Sequence, residues 1–346
     1  MATETKKRIF YFDELRALAI IFVVLCHACI LFRPFRYETL TVSMPGIFYV
    51  LTHVAVPIFF MLSGALLLNR DYHGLSAFFK KRFSRILYPF LFWIPIAIII
   101  SLFILHNSYN DAFKTFFGIN RWPWFVWTMM GIYLILPVIN SFVREYGMKG
   151  CEYFMIIWFV TIILNTFNHY PFYQLELSYF ARFIGYLVLG YWLANKTVNI
   201  SDRNMILFGF LMFFASISID FYIFMKDIPK IETKYLSLFV VLASIGLFLM
   251  FKRYSHYCDS NPESLLGRAH SKIENGIVGK AVLSLSVCSY GMYLVNSLLY
   301  KIIDKVFHVN QLRLLPILFI GVLILSWLLV YVLSKIPVLD KFSGAG

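Results

Sequence analysis

Asp13, Arg16 and His27 stand in the stretch FDELRALAIIFVVLCHA, Phe12 to Ala28. They are a carboxylate, a guanidinium and an imidazole within one run that is otherwise almost wholly apolar from Leu18 onward. Arg16 and His27 are eleven residues apart, close to three helical turns, so a helix puts both on one face. Asp13, three residues before Arg16, shares that face. At about 1.5 Å per residue, His27 lies roughly 16 Å deeper than Arg16. A lone histidine on an apolar face is more often a hydrogen-bonded core residue than a catalyst. Ionisable groups inside a bilayer, however, are costly and usually line a cavity or a path. Imidazole is also the side chain best suited to moving a proton near neutral pH. His27 and Asp13 are therefore the candidate catalytic residues, and Arg16 is the charge at the mouth of their face.

A second cluster is FFKKRFSRILYPF, Phe78 to Phe90. Arg82 and Arg85 are three residues apart and share a face if a helix begins there. Paired guanidiniums fork onto phosphate oxygens. Lys/Arg clusters at a span end are also ordinary topological anchors, which is the commoner use. Cys26 and Cys29 flank His27, but one helix offers too few convergent ligands for a closed metal site, and no metal is expected.

The elements that must position these groups are membrane spans. Of 346 residues, 60% are hydrophobic and 14% charged, against roughly 25% charged in soluble domains. The apolar runs are continuous rather than alternating, which indicates helices and not a barrel. Ten spans are expected, near 14–33, 46–68, 86–105, 123–141, 152–168, 178–195, 204–225, 234–251, 281–300 and 312–334. The expected fold is an all-α polytopic bundle forming a single domain over 1–346. With the N-terminus cytoplasmic, the cytoplasmic loops and tails hold 19 of the 31 Lys and Arg, and the opposite loops hold 10. That bias places both termini in the cytoplasm, and it predicts a multi-pass protein of the cytoplasmic membrane. The net charge of +13 belongs to this asymmetry, and no nucleic-acid surface is expected. The lipid bilayer is an expected partner. The five cysteines read as buried small hydrophobes. The polar stretch 252–280 reads as a surface loop. Arg182, inside the sixth span, is assigned a salt bridge to Glu176 or Asp220.

Together these motifs resemble the acyltransferase-3 family of membrane acyltransferases. Arg16 and His27 in the first span match one signature, and Arg82-Phe-Ser-Arg85 at the start of the third matches another. AVPIFFMLSGALLL (Ala55–Leu68), PWFVWTMMGIYLILPVI (Pro123–Ile139) and LSVCSYGMYLVNSLLY (Leu285–Tyr300) are similar to the family's second, fourth and ninth spans. The likeness is strongest to stand-alone O-acetyltransferases that decorate surface sugars, including the enterobacterial common-antigen type. It implies acyl-CoA, most often acetyl-CoA, as donor. Arg16, Arg82 and Arg85 would hold its phosphates while the pantetheine arm reaches toward His27. Relatives often carry histidine where this chain has Asn296, and His53 is a possible substitute. Ser63, Trp124, Tyr133 and Asn296 are the candidate substrate or oxyanion contacts.

The expected activity is acyl transfer from acyl-CoA to a sugar hydroxyl. Two routes fit His27: a general base for the attacking hydroxyl, or an acylated intermediate that passes the group across the membrane. A secondary transporter or channel is the rival class, since internal charges and broken helices suit transport as well. Against it, no inverted repeat is visible.

Overall fold

The computed structural model describes residues 8–32, 40–110, 114, 123–167, 177, 182–226, 228, 231–309 and 311–346. Among the described residues the secondary structure is helical throughout. A backbone in lipid must satisfy its N–H and C=O groups internally, and long apolar helices do so. The first is α1, Phe10–Leu31, about 33 Å long and sufficient to cross the roughly 30 Å hydrocarbon core. Next come α2, Leu40–Leu51, and α3, Ala55–Leu67. They are joined by a tight turn at Thr52–Val54, and together from Pro45 to Leu67 they are long enough for one span. α4, Leu75–Ile99, carries Pro89 and Pro95 and runs into a wide π turn, Ile100–Ile104. α5, Trp124–Thr166, is 43 residues long and breaks at Gly147 (φ 57°, ψ −141°). It therefore contains both the expected fourth and fifth spans.

α6, Ile184–Asn195, is the described part of the expected sixth span. Residues 178–181 lie outside the described residues, as does Glu176. α7, Asp202–Lys226, and α8, Leu238–Ser260, follow, and Ser237 caps α8 by accepting from the Val240 N–H at 3.2 Å. The remaining helices are α9, Leu265–Asn275, α10, Ile277–Phe307, α11, Leu315–Leu333, and the short α12, Asp340–Ser343. Among the described residues, eight helical segments are long and apolar enough to cross a membrane. The chain is a multi-pass membrane protein with an all-α helix bundle.

One expectation changes. The stretch 252–280 is mostly helix, not loop: α8 continues to Ser260, α9 occupies the middle, and α10 starts at Ile277. Loss of hydropathy marks where a helix leaves lipid, not where it ends. The α8 extension is tied down by Arg253 Nη1 and His256 Nδ1, which meet Asp202 at 3.1 and 2.8 Å. Of the two partners expected for Arg182, Glu176 lies outside the described residues and Asp220 makes no hydrogen bond to it. Arg182 is exposed, and its carbonyl accepts from Trp158 Nε1 at 3.1 Å. His53 is buried with its ring edge-on to Tyr49 and Tyr235.

α3 and α6 cross with their backbones in contact. A Cβ on Gly64 would fall 1.9 Å from the Leu187 carbonyl oxygen, and one on Gly190 would fall 2.0 Å from that of Met61. Helices in lipid gain little from apolar burial against each other, so such close approach is how they hold together. The crossing fixes the adjacent Ser63. α1 lies along α10 with both chains running the same way, because Asp13 meets Ser286 and His27 meets Asn296. A parallel pair requires an odd number of crossings between the end of α1 and the start of α10, as seven intervening spans would supply.

Candidate active site

At the N-terminal end of α1 the side chains form one charged knot. Arg8 forks onto Asp13, with Nε to Oδ2 at 2.5 Å and Nη2 to Oδ1 at 2.8 Å. Ser286 Oγ donates to Asp13 Oδ1 at 2.6 Å, and Arg16 Nη1 donates to Ser286 Oγ at 3.2 Å. Arg16 stands 3.6 Å from the same Asp13 oxygen. Asp13 is buried, and these donors compensate its charge. The bond to Asp13 also holds the Arg8 guanidinium, just outside the span, further on its charged side. Asp13 thus has Arg16 within ion-pair reach. The structure adds Arg8 and Ser286 as the closer partners and leaves Arg85 apart. Arg8 was not singled out from the sequence, and its i, i+5 spacing to Asp13 is the only signal there. Ser286 carried no signal, since its contact spans 273 residues.

The knot borders a cavity of about 820 Å³. Arg16, Arg85 and Ser84 line one part of it, and Val23, Phe59, Ser63 and Tyr133 line another. Of the sequence candidates, Arg16, Arg85, Ser63 and Tyr133 therefore share one space. Ser63 Oγ donates to the Phe59 carbonyl at 2.8 Å, so its proton is committed to its own helix. Arg82 does not line the cavity; its partly buried side chain lies within electrostatic range of Arg85, Tyr72 and Tyr133. Trp124 also stays out, stacked on Tyr235 with ring centroids 5.5 Å apart. Its neighbour Phe125 is the one that faces the cavity.

His27 sits one helical turn beyond Val23, the last cavity-lining residue on α1. Its Nδ1 lies 2.5 Å from Asn296 Oδ1. Asn296 is fully buried, and its Nδ2 donates to the carbonyls of Met292 (2.7 Å) and Tyr293 (3.0 Å). Those two bonds fix which way round the amide lies, because only its nitrogen can donate. The oxygen must face His27, and an oxygen can only accept. Neutral His27 therefore carries its proton on Nδ1, and Nε2 presents a free lone pair. This is how a third group sets the tautomer of a catalytic imidazole. Asn296, a candidate substrate contact from the sequence, has its described hydrogen bonds to His27 and to two carbonyls of its own helix. All five cysteines are buried and unbridged, and Cys26 and Cys29 flank His27 without forming a metal cluster among the described residues.

A family model described as an acyltransferase domain matches residues 9–333. The chain belongs to the acyltransferase-3 family. No curated protein and no solved structure matches it. Membership makes this chain a membrane acyltransferase and separates it from the transporter class. Every residue of the knot except Arg8, and the cavity lining from Arg16 to Tyr293, lies within the matched acyltransferase-3 segment.

Proposed function

We propose that this acyltransferase moves an acyl group, acetyl in the simplest case, from acyl-CoA to a hydroxyl of a cell-surface sugar or glycolipid. The observation that carries the reading is the His27–Asn296 pair, which leaves Nε2 as a base, one turn past a cavity whose lining includes two guanidiniums. Arg85 and Arg16 bind donor phosphates at the cytoplasmic mouth, with Arg82 adding to the field from behind. The thin pantetheine arm runs past Val23, Phe59 and Tyr293 toward His27. Nε2 takes the proton of the acceptor hydroxyl as its oxygen attacks the thioester carbon. The new C–O bond forms, the C–S bond breaks, and the imidazolium returns its proton to the departing CoA sulfur.

Purified protein with labelled acetyl-CoA and isolated cell-surface glycan tests this. Ester-linked label on the glycan, abolished in His27→Ala, is the expected result. Label that reaches only water, or a His27→Ala variant as active as the parent, would overturn it. A base-labile adduct on His27 trapped by rapid quench would replace the direct route with the acylated-histidine route.

A further inference from the structure

The last described residues, Asp340–Gly346, return to the cavity. They are anchored there by backbone and ring contacts on two different helices. The Gly291 N–H of α10 donates to the Gly344 carbonyl at 3.2 Å, and the Gly346 N–H donates to the Val287 carbonyl at 3.1 Å. Val287 and Gly291 are four apart, so both ends of one helical rung are engaged by this segment. The contact needs bare backbone on both sides. A Cβ on Gly291 would meet the Ser343 carbonyl oxygen at 2.3 Å, and one on Gly344 would meet Gly291 Cα at 2.7 Å. Gly344 is also left-handed, at φ 80°. Phe342 packs against Tyr88 and Phe92 of α4, each at 6.0 Å between ring centroids. Ser343 is fully buried and its Oγ accepts from the Ala345 N–H at 3.0 Å.

This segment is a built strap, and it lines the same cavity as Arg85 and Arg16, through Asp340, Lys341 and Gly344–Gly346. The Asp340 carboxylate accepts from the Lys341 backbone N–H at 2.8 Å, which engages it locally. The strap therefore brings both signs of charge to the cavity lining, the Asp340 carboxylate held against its own backbone and the exposed Lys341 ammonium, and only the ammonium can attract an anion.

We infer that Asp340–Gly346 is a donor-binding strap: it walls the cleft that takes the phosphate-bearing end of the acyl carrier, and Lys341 is a third cation for those phosphates beside Arg85 and Arg16. The inference rests on the acyl-CoA reading above. Three cations from α1, α4 and the strap suit a ligand whose phosphates are spread along its length, as in a nucleoside diphosphate with a further phosphate on its ribose. Lysine fits the exposed position, where a mobile point charge needs no fixed fork.

The test is calorimetric titration of CoA into the purified full chain, comparing the parent with Lys341→Ala, Lys341→Glu, Gly344→Val and Arg85→Ala. An exposed charge contact is worth about two- to fivefold. Lys341→Ala should weaken CoA by about that factor, and charge reversal in Lys341→Glu should weaken it by about tenfold. Both losses should shrink in high salt, where a merely structural role would be unaffected. Gly344→Val should dislodge the strap and weaken CoA at least as much as Lys341→Glu. If Gly344→Val does not fold, the exposed Lys341→Glu carries the test alone. CoA affinity within twofold of the parent in Lys341→Glu, with Arg85→Ala clearly weakened, overturns the strap and leaves the donor reading standing. No CoA binding to the parent overturns both.

Discussion

Asn296→Ala isolates the orienting role from every other one. Asn296 is buried, does not line the cavity and touches His27 through a single bond. Its removal takes away the acceptor that holds the Nδ1 proton, so the imidazole can adopt the other tautomer or rotate. The Met292 and Tyr293 carbonyls belong to α10 itself and lose only an auxiliary donor. Loss of a buried hydrogen bond costs about 1–3 kcal/mol, which is about 5- to 150-fold in rate if it is lost from the transition state. His27→Ala removes the base itself, for which about 10²–10⁴-fold is typical. The assay is initial rate of acyl transfer at saturating and limiting acetyl-CoA, for both single variants and the double. Asn296→Ala should lower kcat by about 5- to 150-fold and leave the KM for donor unchanged, because the phosphate site is distant. The double variant should be no slower than His27→Ala, since a group that acts only through another has nothing left to orient. A kcat for Asn296→Ala within twofold of the parent would refute the tautomer argument. So would a double variant slower than His27→Ala by the full factor of the second substitution.

Arg85→Ala should weaken CoA binding about tenfold or more by calorimetry, with Arg85→Lys recovering only part because ammonium lacks the planar fork. Arg82→Ala, which removes a side chain outside the cavity lining, should stay within about threefold of the parent. Gly64→Ala should lower the melting temperature in detergent, because its Cβ would fall 1.9 Å from the Leu187 carbonyl oxygen; overpacking typically costs about 1–3 kcal/mol. A cysteine at the exposed Asp71 should react with impermeant thiol reagent only from the cytoplasmic side, against a background in which all five native cysteines are buried; labelling from outside in intact cells would invert the topology and remove the donor path.

What the sequence made legible was periodic. Arg16 and His27 lie on one face because three helical turns take eleven residues, and the spans announce themselves by length. The cavity could also be anticipated from Arg85, Ser63 and Tyr133, which three different spans bring to it. What stayed hidden was the set of partners chosen by packing. Ser286 and Asn296 are ten residues apart on α10, and their relation to Asp13 and His27, 273 and 269 residues away in sequence, depends on two helices lying parallel. Arg82 falls outside the lining for a related reason: three-residue spacing puts Arg82 and Arg85 on neighbouring strips of α4, and Arg85 is the one that lines the cavity. Gly344 and Lys341 follow the last span, where hydropathy gives no reason to expect a return to the core.

The distribution of charge explains why the orienting residue is an asparagine. At the mouth, Asp13 is buried but surrounded by two guanidiniums and a hydroxyl, so its ionised form has the donors it needs. At His27, roughly 16 Å deeper, no such set is present among the hydrogen bonds of Asn296, whose partners are one imidazole and two backbone carbonyls. A carboxylate there would face two carbonyl dipoles with their negative ends toward it, and uncompensated charge in that setting costs several kcal/mol. An amide supplies the same accepting oxygen for Nδ1 with no net charge, and its N–H groups turn the two carbonyls from a penalty into the device that fixes its orientation. Asn296→Asp therefore separates two demands that are joined in soluble triads. It keeps the acceptor and loses both donors, so it should retain the tautomer yet fold less stably than the parent. A variant that is both fully active and as stable as the parent would show that the carbonyls play no part in holding the base.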